Sequence, residues 1–392
     1  MKDYKVLYEN QGLTLEKYWK FFQWAEKIGT SEGERKYILN DYISLYEAKG
    51  LTVDEYYDFE FEKRSREFRS SFLGREERRL YLDLLNPILY HNCSRNKYIM
   101  HKMFEGTGIQ TSVLYCYYQP EGKLVFREGN SIVANSTEDV VDILRRQKVD
   151  SCVVKPTEGS HGESVEIIQR IEYLTDDAVL FMHGENMMRL SELLSDMPLV
   201  FESVVEQTKQ FASFNKSSVN TVRFMTTLYP DGAAKIIATF IKIGRAGKCI
   251  DNAGGGGNVD VCVDTDSGEI KYAIQFDGWH NIKDIDCHPD SGNQLNGVII
   301  ENWQAIKEKV KKFQQAFPYC KAAGWDIAIT DKGPVVIEVN DAWDTTGQYF
   351  CRKGWRNEIR DCYLAWKETG KEYPNRIACR LSKEQIERIA QI

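Results

Sequence analysis

The strongest constraint on the fold is one stretch near the C-terminal end, G-W-D-I-A-I-T-D-K-G-P-V-V-I-E-V-N, residues 324–340. Two apolar runs flank the turn sequence D-K-G, which predicts a β-hairpin. Three polar residues interrupt these strands: Asp326, Glu338 and Asn340. Glu338 and Asn340 are two residues apart and share one face of their strand, while the tight turn can bring Asp326 alongside Glu338.

Two carboxylates and an amide oxygen on one patch are hard ligands that suit Mg²⁺. Buried carboxylates without a cation would be costly. The alternative is a set of edge-strand polar residues that face water. It is less favoured because the surrounding residues, such as Trp325, Ile327 and Ile337, are apolar. We therefore expect Asp326, Glu338 and Asn340 to bind a metal ion.

A second stretch, V-V-K-P-T-E-G-S-H-G-E-S-V-E-I-I at residues 153–168, predicts a strand, a glycine loop and a return strand. Its lysine precedes the glycines, and the chain has no G-x-x-x-x-G-K-[ST] motif, which excludes a P-loop. A lysine at a strand end is a fixed charge, and the glycines let backbone N–H groups approach anionic oxygens. Taken alone, the pattern is also typical of a surface hairpin. The candidate residues are Lys155, Glu158, Gly159, Ser160, His161 and Gly162.

Three cations lie on another predicted hairpin, which turns at P-D-G: Arg223, Lys242 and Arg245. They are candidates for holding phosphates or a carboxylate, which arginine can grip with two bonds; ordinary sheet-surface cations are the alternative. The glycine-rich loop at 251–258 is either a lid, a phosphate-binding loop or a long connection. A zinc site of His280, Cys287 and His288 is not favoured because the spacing fits no common motif.

The composition excludes several classes of protein. Of the 392 residues, 42% are hydrophobic and 28% charged, which is typical of a globular protein. The net charge of −7 argues against nucleic-acid binding, and no apolar run is long enough for a membrane span. Ten cysteines without a C-x-x-C pair and a start without a signal peptide lead us to expect a cytoplasmic, reduced protein.

The pattern along the chain predicts a helical N-terminal region over residues 1–92. Its first helix carries an apolar stripe of Leu15, Trp19 and Phe22. Two capping boxes follow, one of Ser31 with Glu34 and one of Thr52 with Glu55. Gly50 ends the helix between them. A mixture of strands and helices with mainly antiparallel hairpins follows, including a short strand near Glu121. The expected fold class is therefore α/β of the α+β kind, without a regular dinucleotide-binding sheet.

Together these motifs resemble the ATP-grasp superfamily of carboxylate–amine ligases. The resemblance runs from about Lys97 to Asp344 and rests on the order of K-P-x-x-G-S, a strand with a central Glu, the arginine hairpin and D…E-x-N. S-V-N-T-V-R, D-N-A-G-G-G and H-P-D-S-G look more narrowly like the sugar-transfer-associated ATP-grasp proteins of polysaccharide loci. The resemblance implies two α+β subdomains that clasp ATP: residues 93–205 with the lid and 206–392 with the metal site.

The resemblance also implies roles for particular residues. ATP would be contacted by Lys155 and by Lys97, for which Lys102 is an alternative. The loop from Gly159 to Gly162 would close over the phosphates. Arg223 would stabilise an acyl phosphate. The ribose contact is open among Glu206, Gln207 and Lys209. The expected adenine and ribose contacts of the interdomain hinge are Glu202, Ser203, Val205 and Gln207.

We therefore expect ATP- and Mg²⁺-dependent formation of an amide bond through an acyl phosphate, on a sugar acid or an amino acid. The partners would be a small-molecule carboxylate and an amine, without nucleic acid or membrane. An ATP-grasp kinase that phosphorylates a hydroxyl, or a nucleotide-binding module without activity, are the alternatives.

Overall fold

The computed structural model describes residue 23 and residues 31–120, 131–159, 164–182, 186–194, 196–247, 257–278 and 281–371. Some predictions lie outside these ranges. They concern the first helix with Leu15, Trp19 and Phe22, the strand near Glu121, and the loop residues Ser160, His161, Gly162, Gly254, Gly255 and Gly256.

Short helices make up the described N-terminal region, as predicted. They are α1 (Glu32–Lys49), α2 (Val53–Asp58), α3 (Arg66–Ser71) and α4 (Arg75–Leu85). Both predicted capping boxes form, at Ser31 and at Thr52, and Gly50 ends α1 in the left-handed conformation with φ of 60°. The apolar sides of α1, α2 and α3 pack into an aromatic-rich core that includes Tyr56 and Phe61.

Two further helices, α5 (Asn92–Arg95) and α6 (Lys97–Phe104), lead into the first sheet. The described strands of this sheet have the order β2-β1-β7-β3-β4-β5-β6. Helix α7 (Thr137–Arg146) packs on the sheet, and α8 (Leu190–Leu193) follows β6. The strands are β1 (Leu114–Tyr118), β2 (Val133–Ala134), β3 (Cys152–Pro156), β4 (Glu166–Tyr173), β5 (Ala178–Met182), β6 (Met187–Arg189) and β7 (Leu199–Glu202).

The second sheet is antiparallel throughout its described strands, in the order β12-β11-β10-β9-β8-β13-β14. The predicted hairpins at P-D-G and at D-K-G are confirmed, and a third hairpin turns at Asp266-Ser267-Gly268. The strands are β8 (Thr221–Leu228), β9 (Ala234–Ile243), β10 (Val259–Val263), β11 (Ile270–Phe276), β12 (Ile282–Ile285), β13 (Ala322–Thr330) and β14 (Gly333–Asn340).

Both faces of the second sheet are covered. One face packs against α10 (Trp303–Ala316), where the buried Trp325 contacts Phe317. The other face packs in part against α4, α11 (Thr346–Phe350) and α12 (Arg356–Glu368). Helix α9 (Lys209–Phe214) lies between the sheets in the sequence. The mixed α+β fold class is confirmed, while the proposed boundary between residues 205 and 206 stays a prediction.

Helix α6 connects the two sheets. Its apolar residues Met100 and Phe104 belong to the core of the second sheet. At its N-terminus, the backbone N–H of Lys97 donates to the carbonyl of Thr157 at 2.8 Å, directly after β3 of the first sheet. The position of Lys97 is therefore fixed relative to both sheets. In the described part of the chain, no helix is both long and apolar enough to cross a membrane.

Candidate active site

The hairpin of β13 and β14 carries an irregularity that places two acidic residues opposite each other. Ile327 pairs with Val336, yet Asp326 pairs with Glu338, so Ile337 is the extra residue of a β-bulge. In a regular register without the bulge, Asp326 would pair with Ile337, and Glu338 would lie on the other side of the sheet because side chains alternate. The predicted approach of Asp326 to Glu338 is confirmed, and the bulge produces it.

Two cations hold the carboxylate of Asp326, which is only 2% exposed. It accepts bonds from Nε and Nη2 of Arg223 at 2.6 and 2.8 Å and lies 3.0 Å from Nζ of Lys242. Burial acts to raise the pKa of Asp326, but the charges of Arg223 and Lys242 hold it well below its usual value. Asp326 is therefore ionised, and the structure brings it together with two of the three predicted cations.

Glu338 is the second carboxyl group of this patch. Burial and the neighbouring charge of Asp326 raise the pKa of Glu338 above its usual value. The amide nitrogen of Asn340 donates to Oε1 of Glu338 at 3.0 Å and lies 3.4 Å from Oδ2 of Asp326. The three predicted metal ligands are therefore neighbours on one sheet face.

These three side chains fit a divalent cation. A half-turn of the Asn340 amide would present its oxygen in place of its hydrogens, and a cation would remove the cost of holding Asp326 and Glu338 side by side. No group of three His, Cys, Asp or Glu residues that could hold a metal occurs within the described ranges. This set differs because its third member is an amide.

A second buried carboxylate, Glu202, lies at the end of β7 in the first sheet. Nζ of Lys155 donates to its Oε2 at 2.9 Å, and the hydroxyl of Ser112 donates to the same oxygen at 2.8 Å. Nε2 of His101 lies 3.1 Å from Oε1. Burial acts to raise the pKa of Glu202, but Lys155 and His101 hold it well below its usual value. Glu202 was predicted at the adenine hinge, and its side chain anchors Lys155.

Lys97 lies between the two carboxylate clusters. Burial lowers the pKa of Lys97, an effect that Glu338 and Glu202 oppose and Lys155 reinforces. Lys97 thus lies within electrostatic range of Glu338 in the second sheet and of Lys155 and Glu202 in the first. The rival residue Lys102 instead pairs with Glu105 at 2.7 Å on the surface, where its side chain is 40% exposed.

The start of the glycine loop is tied to the N-terminus of α6. The amide of Asn96, which caps α6, donates to Oε1 of Glu158 at 3.1 Å. Gly159 has a φ of 139°, a conformation that other residues rarely adopt. Closure of the loop through Ser160, His161 and Gly162 stays a prediction, since these residues lie outside the described ranges.

The segment after β7 runs without regular structure from Ser203 to α9. Ser203 and Val113 share two hydrogen bonds. The N–H of Ser203 donates to the carbonyl of Val113 at 2.8 Å, and the hydroxyl of Ser203 accepts from the N–H of Val113 at 2.9 Å. Val205 lies in this segment. Val113 and Val204 are 57% and 41% exposed, which leaves apolar surface at the predicted hinge.

The side-chain amide of Gln207 makes hydrogen bonds to other residues of the protein. Its Nε2 donates to the carbonyls of Asn215 and Ser218, and its Oε1 accepts from the backbone and side-chain nitrogens of Asn220, all at 2.9 to 3.1 Å. These bonds close the loop around α9. Glu206, the neighbouring ribose candidate, is exposed.

The described hydrogen bonds of Arg245 are to residues other than Asp326. Its Nε and Nη2 grip Asp290 of the H-P-D-S-G stretch at 2.8 and 2.7 Å, and its Nη1 donates to the carbonyl of Gly257 at 3.0 Å. His288 from the disfavoured zinc set is buried, and its Nε2 lies 3.1 Å from the carbonyl of Gly244. Arg245 therefore orders the base of the glycine-rich loop, and a catalytic role for it stays a prediction.

Sequence reasoning missed His101 and Ser112, which complete the Glu202 cluster. The one available signal was spacing, because His101 lies one helical turn after Lys97 and so shares its helix face. Ser112 carried no signal, since its contact spans 90 positions of the sequence.

Two sheets, with lysines on the first and on its connecting helix and a carboxylate patch on the second, fit the ATP-grasp class of protein that the sequence motifs predict. The family model for sugar-transfer associated ATP-grasp proteins matches residues 76–362, which is most of the chain. The chain therefore belongs to the sugar-transfer associated ATP-grasp family, as the sequence motifs predicted. No curated protein matches the sequence.

Solved structures that resemble this chain include three ligases or carboxylases, all at low identity. N5-carboxyaminoimidazole ribonucleotide synthetase in its ADP complex is 11% identical, with a TM-score of 0.37 over 67% of this chain and 51% of its own. D-alanine–D-alanine ligase from Helicobacter pylori is 10% identical, with a TM-score of 0.32 over 72% and 61%. Biotin carboxylase from Campylobacter jejuni is 8% identical, with a TM-score of 0.41 over 72% and 48%. The chain thus matches about half to three fifths of the length of these proteins.

Proposed function

We propose that this protein is an ATP-dependent carboxylate–amine ligase that forms an amide bond through an acyl phosphate. The observation that carries the proposal is the position of Lys97, which the charges of Lys155 and Glu202 in the first sheet and of Glu338 in the second all influence. We take these groups to line one cleft between the sheets. Such a site can bind a nucleoside triphosphate with its metal. Family membership supports the same class of reaction.

Asp326, Glu338 and Asn340 would hold Mg²⁺, which would neutralise charge on the transferring phosphoryl group and orient it. The bulge at Ile337 brings Glu338 opposite Asp326, which supports this assignment. Asp326 would also keep Arg223 and Lys242 in position, because both cations bind it.

The nucleotide would lie between the sheets. Lys97 and Lys155 would contact the phosphates, Gly159 to Gly162 would cover them, and the exposed valines at the hinge would contact the adenine. For the ribose we favour Glu206, since the donors and acceptor of Gln207 are used within its own loop. A carboxylate suits the two hydroxyls of a ribose.

The reaction would then proceed in two steps. An oxygen of the substrate carboxylate attacks the γ-phosphorus, the bond to the β-phosphate oxygen breaks, and ADP leaves. An amine attacks the acyl carbon, inorganic phosphate leaves and the nitrogen loses a proton. Arg223 and Lys242 would stabilise the charge on the phosphoryl and acyl oxygens. Positioning accounts for most of this catalysis, so no nucleophilic Ser or Cys is required.

We propose a sugar acid or an amino acid as the carboxylate substrate, in keeping with the family's association with sugar transfer. We also place the reaction in the cytoplasm, where ATP is available and thiols stay reduced. The described cysteines all occur as free thiols, which agrees with that compartment.

A hydroxylamine trap tests the proposal. The protein is incubated with ATP, Mg²⁺ and a panel of amino acids and uronic acids, and hydroxylamine takes the place of the amine. Ligase chemistry predicts ADP release together with an acyl hydroxamate. A stable phosphoester without hydroxamate would show a kinase instead. The Glu338→Ala variant should bind ATP but lose turnover; equal turnover in variant and wild type would refute the metal assignment.

A further inference from the structure

We infer that His101 is a positioning residue of the nucleotide site, which acts on the phosphate-binding Lys155 through the carboxylate of Glu202. This inference rests on the proposed function, because Lys155 has a ligand to position only if the cleft binds a nucleotide. No comparison assigns a role to His101.

The geometry forms a continuous chain of contacts. Thr111 Oγ1 lies 3.2 Å from Nδ1 of His101, whose Nε2 lies 3.1 Å from Oε1 of Glu202. The other oxygen of Glu202 accepts from Nζ of Lys155 at 2.9 Å and from Ser112 at 2.8 Å. His101 and Glu202 have side chains only 5% and 4% exposed, so water hardly competes for these bonds.

Counting protons fixes the role of the imidazole. An ionised carboxylate only accepts hydrogen bonds, so Nε2 of His101 must carry the hydrogen that points at Glu202. The single hydroxyl hydrogen of Thr111 goes either to Nδ1 or to the carbonyl of Ser112 at 3.0 Å; in the second case Nδ1, in the imidazolium form, donates to the hydroxyl oxygen. In both forms His101 is a donor to Glu202 on the side opposite Lys155.

This donor matters for Lys155 because the carboxylate divides its charge between its partners. With His101 in place, one hydrogen of the Lys155 ammonium is used by Glu202 and the ammonium is held at a fixed place at the cleft. Without His101, the remaining described side-chain donors to this buried carboxylate would be Lys155 and Ser112. It would draw the ammonium more tightly and away from a phosphate.

Helix α6 carries both Lys97 and His101. Lys97 and His101 are four residues apart on α6 and therefore lie on one face, one turn above the other. Because the N–H of Lys97 also binds the carbonyl of Thr157, α6 sets the distance of both side chains from Lys155. One helix thus supplies a direct phosphate contact and the support for the second lysine.

The test compares His101→Leu, which removes the donor, with His101→Gln, whose amide can replace Nε2–H. Affinity for MgADP is measured by calorimetry on the full chain. We expect His101→Leu to weaken binding about tenfold and His101→Gln to stay within about threefold of wild type. Equal affinity of His101→Leu and wild type would overturn the inference.

A matched control separates positioning from lost stability. Gln348 is fully buried and bonds Leu73 and Trp355 at the junction of the N-terminal helices. Gln348→Leu should lower the melting temperature as His101→Leu does but leave the affinity for MgADP unchanged. If Gln348→Leu weakens the binding of MgADP as much as His101→Leu does, the effect of His101→Leu is structural and the inference is wrong.

A second measurement needs no nucleotide. The rate at which acetic anhydride labels Lys155, followed by mass spectrometry, should fall in His101→Leu and return in His101→Gln. Unchanged labelling in both variants would overturn the inference. If the wild type binds no MgADP while labelling still depends on His101, the contact is real and the proposed function fails instead.

Discussion

The two buried carboxylates of the cleft, Glu202 and Asp326, have similar partners but different neighbours. Each is bound by a lysine and by a second basic side chain, which is His101 for Glu202 and Arg223 for Asp326. In both cases these partners hold the pKa of the carboxyl well below its usual value. Asp326 alone has a second carboxyl beside it, that of Glu338, whose pKa is raised.

This difference separates a cluster whose carboxylate has its hydrogen-bond and charge partners within the protein from one that is suited to a ligand. Around Glu202 every described contact is with a donor, and the cluster holds Lys155 in place. Around Asp326 the extra carboxyl of Glu338 is stabilised by Asn340, but burial and a like charge oppose its ionisation. A divalent cation is the partner that this second cluster suits.

The largest expected effect is that of Asp326→Ala. The substitution leaves the side chains of Arg223 and Lys242, 14% and 8% exposed, without their shared carboxylate. We expect a loss of stability of about 3 to 5 kcal/mol and a loss of ATP turnover of at least about a hundredfold. Urea unfolding and an ADP-release assay measure the two effects. Retained turnover would break the assignment of Asp326 to the metal site.

Glu202→Gln should have the next largest effect and a different character. Lys155 keeps a hydrogen bond but loses its charge partner, so we expect a loss of about 2 to 3 kcal/mol of stability. The KM for ATP should rise, while kcat at saturating ATP changes little because Glu202 holds a binding residue. A fall in kcat at an unchanged KM would show that the two clusters do not differ as described.

The comparison also shows what the sequence could predict. The hairpin with Asp326 and Glu338 is local, so apolar runs and a turn motif were enough to predict it. The bulge at Ile337 left no pattern, although Glu338 depends on it to reach Asp326. The hydrogen bond between His101 and Glu202 spans 101 positions, a distance over which periodicity carries no information.

Gln207 illustrates a further limit of sequence reasoning. The family resemblance placed it near a ribose, but its amide makes its described hydrogen bonds within its own loop. Whether its amide is used locally depends on the loop to Asn220, whose carbonyls and nitrogens meet it only in the folded chain. Backbone partners of this kind leave no trace in the pattern of side chains.

Ser112→Ala should affect stability less than Glu202→Gln. It removes one neutral donor from Oε2 of Glu202 and leaves Lys155 and His101 in place. We expect a loss of about 1 to 2 kcal/mol in urea unfolding, with a small rise in the Kd for MgADP. Ser203→Ala, which removes a hydroxyl that accepts from the backbone of Val113, serves as the control at the hinge. If Ser112→Ala were as harmful as Glu202→Gln, Ser112 rather than Lys155 would be the main partner of the carboxylate.

Glu338→Gln should have the smallest effect on stability and the opposite sign. The folded-state pKa of Glu338 is raised, so at a pH above the ordinary glutamate value the unfolded chain gives up its proton before the folded chain does. Stability contributed by this group is therefore present at low pH and is lost as the pH rises through the folded-state pKa. Gln cannot ionise, and it removes a like charge directly opposite Asp326.

We expect Glu338→Gln to stabilise the protein by about 0.5 to 1 kcal/mol at pH 8 in the presence of EDTA, the size of one cross-strand pair. Near pH 4, where Glu338 is protonated in both states, the gain should vanish. Thermal unfolding across this pH range measures it, and Glu202→Gln, destabilising at pH 8, is the matched control. A destabilised Glu338→Gln at pH 8 would mean that Lys242 and Arg223 compensate both carboxylates. The second cluster would then be as complete as the first and would not need a metal ion.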